Sequence, residues 1–342
     1  GLPVPLNHDS NSNIKVQTAD GRRLIEAEVI IWDEAPMAPR YVLEILNRKL
    51  KELMQNDKLF GGKAVLLGGD FSQLLPVMKN ATRSELVDLS ICSSNLWKEF
   101  QQCQLTVNMR AKPEEVEFVE FLKKVGNGTM NDEESKIELP ESCIVNGQLS
   151  KIIFEEFIVK EDYEKMANSA ILVSKHIGVN NMNDEVMEML PGEIVEYIAI
   201  NSVLETDTGN GPNAIRKDAT DNMFKFMPEY LNSIEDGCLP PHVLKLKKNA
   251  IVMLLRNLNT DEGLSNGTRM IVVDMKPHAI LCKIVTGDKN GELHWIPRIN
   301  VTADQKLFTL NRKQFPLKPA FSMTINKSQG QTFERIGIDL QY

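Results

Sequence analysis

Long apolar runs are missing from this 342-residue chain. No stretch of 18 apolar residues occurs and the opening residues form no signal peptide, so neither membrane insertion nor secretion is expected. Cysteine is scarce and poorly spaced. Cys92, Cys103, Cys143, Cys238 and Cys282 are odd in number, far apart and without a Cys-x-x-Cys pair, which argues against a zinc site and against a disulfide framework. The five histidines are equally scattered. No internal repeat or low-complexity tract is evident. A hydrophobic content of 42% is enough for real cores, and the length suggests two or more domains.

Net positive charge is also lacking, since the formal charge is −8. The average hides a local reversal. Residues 113–165 are rich in Glu and Asp and read as a solvated acidic face. Residues 296–335 hold Arg298, Lys306, Arg312, Lys313, Lys318, Lys327 and Arg335 against only Asp304 and Glu334. Local charge sets a phosphate footprint, so this second stretch is the candidate nucleic-acid face. Lys245–Lys248 is better read as a plain solvated face.

Four segments carry chemistry. Val29-Ile30-Ile31-Trp32-Asp33-Glu34 is an apolar strand ending in two carboxylates, and parallel strands gather ligands at their carboxyl ends. Such a pair could also simply begin the next helix. Ala64-Val65-Leu66-Leu67 runs into Gly68-Gly69-Asp70-Phe71-Ser72-Gln73, where the glycines allow close backbone approach and Gln73 could bridge a phosphate and a water. Leu105 to Arg110 ends in an arginine that is either a surface residue or a stabiliser of transferring charge. Finally Ser322-Met323-Thr324-Ile325-Asn326-Lys327-Ser328-Gln329-Gly330-Gln331-Thr332 places hydroxyls, amides, a lysine and a glycine at a strand-to-helix junction, which suits phosphate oxygens or an ordinary capped helix start.

The order Asp-Glu, Gly-Asp-Phe-Ser-Gln-Leu-Leu-Pro-Val, Asn-Met-Arg and Thr-Ile-Asn-Lys-Ser-Gln-Gly-Gln-Thr resembles the Pif1 family of superfamily 1B DNA helicases. Its wording is most similar to the helicase domain of Helitron transposons, as are Leu264-Ser265-Asn266-Gly267-Thr268-Arg269 and Arg312-Lys313-Gln314-Phe315-Pro316-Leu317. The resemblance implies an α/β fold of two RecA-like domains with parallel sheets and an SH3-like β-barrel inserted in the second. It implies ATP and Mg²⁺ as cofactors, with 5′ to 3′ translocation on single-stranded DNA and unwinding of forked duplex DNA. By the same resemblance Asp33 holds Mg²⁺ through water, Glu34 activates the hydrolytic water, Gln73 senses the γ-phosphate and Arg110 is an arginine finger. Thr324, Asn326, Lys327, Ser328 and Gln329, with Arg298 and Arg312, face the DNA, and Gly330 and Gln331 lie nearest the nucleotide. Trp295 and Phe315 are candidates for base stacking, although core packing is the commoner role of such rings. A monomer in the nucleus or mitochondrion is expected, serving repair, recombination, telomere maintenance or transposition.

The chain departs from the pattern in one respect that matters chemically. It contains no Gly-x-x-x-x-Gly-Lys-Ser/Thr loop, and Gly61-Gly62-Lys63-Ala64 precedes a strand instead of following one. The family's final arginine motif is not found either, so truncation at both ends is the expectation. The alternative to a motor is then a single-strand-binding remnant without ATPase. The expected organisation is a partial first domain over 1–130, an acidic linker or helical segment over 131–165, and a second domain over 166–342. Within the second, 200–245 reads as an irregular insertion and 249–313 as the SH3-like insertion. A helix over 39–55 carries a stripe of Val42, Leu46, Leu50 and Leu53. Another runs from Pro113 to about Lys124, and a strand over 170–174 precedes a helix stopped by Pro191-Gly192.

Overall fold

The computed structural model describes residues 6, 10–73, 76–78, 81–109, 111–134, 136–204, 228–235, 239–305 and 308–340. The chain divides into two units, Gly1–Glu141 and Ser142–Tyr342.

The first unit contains α1 (Ala19–Glu26), β1 (Val29–Trp32), α2 (Arg40–Met54), β2 (Ala64–Leu67), α3 (Arg83–Leu89) and α4 (Val116–Gly126). Thr18 starts α1 by accepting a hydrogen bond from Gly21 N at 3.1 Å. α2 buries Leu43, Ile45, Leu50 and Leu53, while Val42 and Leu46 are half-buried, so the expected stripe lies on the inward face and Leu43 and Ile45 widen it on either side. β1 and β2 form a two-stranded parallel sheet with Trp32 opposite Leu67. The core consists of Ala35, Leu43, Leu50, Phe60 and Ile91, with Trp32, Leu67, Trp97 and Phe100 packed against it. The other face of the sheet is open: Ile31 is 72% exposed and Leu66 58%.

The second unit contains α5 (Leu149–Val159), α6 (Tyr163–Ala167), β3 (Ser169–Val173), α7 (His176–Met189), β4 (Val195–Ile198), β5 (Ile200–Leu204), α8 (Pro228–Ser233), β6 (Val243–Leu246), β7 (Ile251–Leu254), β8 (Arg269–Met275), β9 (Ala279–Ile284), β10 (Leu293–Pro297), β11 (Ile299–Asp304), β12 (Thr309–Gln314), β13 (Leu317–Pro319), β14 (Ser322–Thr324), α9 (Ile325–Ser328) and β15 (Arg335–Asp339). β3 is fully buried at the centre of a three-stranded parallel sheet in the order β14-β3-β15, and its continuous apolar run fits that position. An antiparallel sheet follows the order β10-β9-β8-β7-β13, with an irregular register between Val272 and Asp274. A further antiparallel sheet has the order β11-β12-β5. The strands expected as one insertion over 249–313 are thus shared between two sheets. β5, inside the stretch expected to be irregular, belongs to one of them, and much of that stretch, 205–227, lies outside the described residues. The segment 131–165 is split by the unit boundary, because Ile153, Phe154 and Met166 of α5 and α6 join the core of the second unit.

The Lys245–Lys248 run is not uniformly solvated. Lys247 is buried, and its Nζ donates to Leu190 O at 2.6 Å, holding the end of α7 against β6. The apolar alternation of β6 comes from its neighbours Leu244 and Leu246, yet the lysine between the buried and exposed faces finds carbonyls rather than water.

Candidate functional site

In the first unit the carboxyl ends of β1 and β2 lie side by side, and both polar loops leave from that edge. Backbone bonds fasten them: Gly68 N donates to Trp32 O at 2.9 Å, and Ala35 N donates to Gly68 O at 2.9 Å. Asp33 is exposed, and its Oδ1 accepts from Glu34 N at 2.9 Å. Glu34 adopts a left-handed backbone, φ 52°, which turns the chain sharply into the buried Ala35-Pro36 step. A Cβ on Gly68 would stand 3.3 Å from Asp33 Oδ1, so the second loop passes directly over this carboxylate.

Gln73 belongs to a turn built by a residue that the motif assignment left without a role. Asp70 Oδ1 accepts from Ser72 N at 2.8 Å and its Oδ2 accepts from Gln73 Nε2 at 3.3 Å. The bond from the Ser72 backbone, the largest cause, together with that from Gln73 holds the Asp70 carboxyl below its ordinary range. An aspartate two positions before a serine is the sequence signal for such a turn. Phe71 anchors the loop edge-on against Trp97, with centroids 5.5 Å apart. Arg110 lies outside the described residues.

Among the described residues no group of three or more His, Cys, Asp or Glu side chains could hold a metal ion. An exposed Asp33 beside a glycine-lined edge fits Mg²⁺ held largely by water and phosphate oxygens, which is how this ion is usually bound when a nucleotide carries it. When bound, the ion would neutralise phosphate charge.

In the second unit Thr324 ends β14 and opens the one-turn α9. The sheet below is fixed by Asn183 of α7, a buried amide that sequence reasoning passed over. Its Nδ2 donates to Ser322 O at 3.2 Å, and its Oδ1 accepts from Ser322 N at 2.9 Å. The only sequence signal was a polar residue on the buried face of α7. Asn326 is exposed, whereas Lys327, Ser328 and Gln329 are half-buried. Ser328 Oγ donates to Ile325 O at 2.7 Å, and Gln331 Nε2 donates to Lys327 O at 3.0 Å, so both side chains brace the turn from within. Gly330 and Gln331 line a cavity of about 750 Å³ together with Ala167, Asn168, Arg269 and Phe333. These neighbours mark the amino ends of β3 and β15, the opposite end of the parallel sheet from Thr324.

One expected contact is corrected, and one ring takes the commoner of its two roles. Arg312 is 1% exposed: its Nε donates to Asn201 Oδ1 at 2.8 Å, Nη1 to Pro240 O at 3.0 Å and Nη2 to Leu231 O at 2.9 Å. Its charge serves internal acceptors and does not reach a DNA backbone. Phe315 is fully buried and packs edge-on against Tyr197 at 5.0 Å, so it offers no stacking face. Arg298 is half-buried, with its guanidinium 4.8 Å above Phe315 and Nη1 donating to Ile198 O at 2.7 Å. Trp295 is 45% exposed, with the Lys276 ammonium 4.8 Å from its ring centre.

Lys318, on β13, is half-buried, and burial first, then the charge of Lys327, pushes its pKa down to about 8 against a weaker upward pull from Glu235. The unfolded value is about 10.4, so between the two pH values the unfolded chain binds more protons and stability rises with pH. Lys318→Met is expected to flatten the rise in the urea midpoint of the second unit between about pH 7.5 and 9.5. A slope identical in variant and parent would refute this.

Comparison with known proteins places these loops in context. Residues 1–136 match the family model described as PIF1-like helicase, and residues 229–275 match that of the DNA helicase Pif1 2B domain. The ATP-dependent DNA helicase PIF1 of Homo sapiens is 24% identical over 326 residues, covering 92% of this chain and 42% of the relative. The ATP-dependent DNA helicase Pif1 of Psychrobacter is 24% identical over 371 residues, covering 93% and 50%. The chain thus spans about half or less of the length of these curated relatives. Among solved structures, Pif1 helicase from Bacteroides in complex with ADP-AlF3 and single-stranded DNA superposes with a TM-score of 0.63 at 22% identity, covering 98% of this chain and 69% of that one. Pif1 helicase from Candida albicans gives 0.60 at 22% identity, covering 93% and 68%.

Proposed function

Because the chain belongs to the Pif1-like family of superfamily 1B DNA helicases, with the fold of two RecA-like units, we propose that it serves an ATP-dependent motor that moves along single-stranded DNA and opens forked duplexes. The observation that carries this reading is the adjacency of the Asp33–Glu34 and Gly68–Gln73 loops at the carboxyl ends of two parallel strands. That edge is where α/β folds receive nucleotides. Asp33 would hold Mg²⁺ through water, Glu34 would orient and deprotonate the attacking water, and Gln73 would report on the terminal phosphate, with Arg110 stabilising its charge. In the second unit Thr324, Asn326 and Lys327 would meet the DNA backbone at the carboxyl end of β14, and Arg298 would add a half-exposed cation. Polarity from 5′ to 3′, a monomeric state and service in nuclear or mitochondrial repair, recombination, telomere maintenance or transposition belong to the same proposal.

A second reading rests on the absence of a Gly-x-x-x-x-Gly-Lys-Ser/Thr loop from these 342 residues. Without its amides and lysine, the β- and γ-phosphates have no cradle. The polypeptide by itself would then bind single strands and turn over little ATP.

One pair of titrations separates the readings. Oligo-dT binding by fluorescence anisotropy is expected to weaken steeply with salt, and Lys327→Ala to lower the logarithmic slope by roughly 0.7. Absence of oligo-dT binding at low salt would defeat both readings. Mg·ATP titration of the same polypeptide is expected to show weak binding; tight, Mg²⁺-dependent binding would remove the second reading.

A further inference from the structure

Arg269 is, with Arg312, one of the two largest fully buried side chains among the described residues of the second unit, at 1% exposure, and among those residues no carboxylate forms an ion pair with it. Its backbone is fixed in the antiparallel sheet, where Val285 N donates to Arg269 O at 3.0 Å and Met253 is its strand partner. Its side chain leaves that sheet altogether. Nη1 donates to Ala167 O, and Nη2 donates to both Ser169 O and Ala320 O at 3.0 Å. These carbonyls sit just before and at the start of β3, and two residues before β14. The guanidinium carbon also lies 5.0 Å from the ring centre of Phe333, two residues before β15. One planar cation therefore touches the amino ends of all three parallel strands.

The group stays charged there. Burial pulls its pKa down to about 10, still well above neutrality. A buried guanidinium without an anion is tolerable only because carbonyl dipoles and an aromatic face replace water. Nε has no hydrogen-bond partner, so the arrangement depends wholly on the two terminal nitrogens and the ring. Phe333 in turn ends the return loop 329–334 that carries Gly330 and Gln331. The far side of that loop is closed by Glu334 N donating to Asn168 O at 2.8 Å, and its near side by Gln331 N donating to Ser328 O at 3.0 Å.

We infer that Arg269 is a positioning residue, which sets the 329–334 loop of the motor motif by tying it and the three parallel strands to the antiparallel sheet. The loop's conformation would then follow the antiparallel sheet through the guanidinium and the Phe333 ring. Any contact that the loop makes with DNA or nucleotide would then be tuned from β8. That functional consequence rests on the reading proposed above; the mechanical tie does not.

The test is amide hydrogen exchange on the full chain, comparing the parent with Arg269→Lys and Phe333→Leu. Lysine keeps the charge but lacks the planar fork that reaches three carbonyls, and leucine leaves Arg269 and all its carbonyl bonds in place. Both variants are expected to exchange the Gln331 and Glu334 amides roughly fivefold or more faster, in line with the loss of a desolvated cation–π contact. Amides of Val272 and Ile284 in the antiparallel sheet are expected to keep their parent rates. A general acceleration across the unit, or no change at Gln331 and Glu334, would overturn the inference. Oligo-dT affinity is measured in parallel: if the parent binds and the variants bind more weakly, the tie reaches function. A parent that binds no DNA would defeat the DNA reading, while the exchange pattern alone decides the tie.

Discussion

Gly69→Ala is expected to abolish the cooperative unfolding transition of the first unit while leaving that of the second in place. Gly69 has φ 153°, and a Cβ there would stand 2.2 Å from Pro36 Cδ and 2.7 Å from its Cγ. The proline ring is rigid and buried, and Ala35 N beside it is hydrogen-bonded to Gly68 O, so neither partner can yield without pulling β1 and β2 apart. Overpacking with forced backbone strain costs about 3 kcal/mol. The unit has little to spare. Among the described residues its buried core cluster is five side chains, its sheet is a two-stranded parallel pair, and Ile31 and Leu66 remain largely in water. Such a sheet is marginal without further packing. Leu105, 97% exposed, and Val107 and Met109 beside it add apolar surface without burial. Gly68→Ala is the natural control, since its Cβ meets the Asp33 carboxylate at 3.3 Å, a side chain that can rotate, and Trp32 O only at an ordinary 4.0 Å. Urea unfolding followed by exchange of β1 and β2 amides reads both variants. If Gly69→Ala is as stable as Gly68→Ala, the close approach is not what fixes the loop.

The second large effect concerns Arg312. Arg312→Met is expected to destabilise the second unit by about 3 kcal/mol, because it strands two buried acceptors, Pro240 O and Leu231 O, and the half-buried Asn201 Oδ1. Those acceptors belong to β5, to α8 and to the turn before β6, so the loss should spread to the cluster of Leu231, Leu239, Val301, Phe308 and Leu310. The salt slope of oligo-dT binding, measured well below the urea midpoint, is expected to remain that of the parent. A variant of unchanged stability with a slope lower by roughly 0.7 would mean that Arg312 reaches phosphate after all.

This contrast explains what could be read from the sequence and what could not. β3 was legible because it is a local apolar run that follows Asn168, and burial of such a run depends little on its partner. The loops after β1 and β2 were legible for the same reason: a strand that stops at polar residues announces its own carboxyl end. Arg312 was not. A basic residue in a basic stretch looks like a phosphate contact, and the carbonyls that claim it come from positions 231 and 240, about eighty and seventy residues away. Arg269 was hidden in the same way, since it reaches Ala167, Ser169 and Ala320 only when two different sheets are brought together. The α2 stripe was legible from periodicity, whereas packing against Phe60 and Ile91 decides which of its apolar residues are fully enclosed.

β10, the outer strand of the five-stranded sheet, has a consequence for solubility. Ile284 N donates to Glu292 O at 2.9 Å, and β9 pairs residue by residue from there, so the backbone groups of Leu293, Trp295 and Pro297 turn toward the open edge. An incoming strand from a second molecule would find exposed leucine and tryptophan there, an inviting template for aggregation. Pro297 offers it no N–H, and the Lys276 ammonium resting on the Trp295 ring would have to give up its water to be covered. The edge is therefore guarded by one missing donor and one misplaced cation, and removing either, by Pro297→Val or Lys276→Met, would leave a strand fit to recruit its own kind.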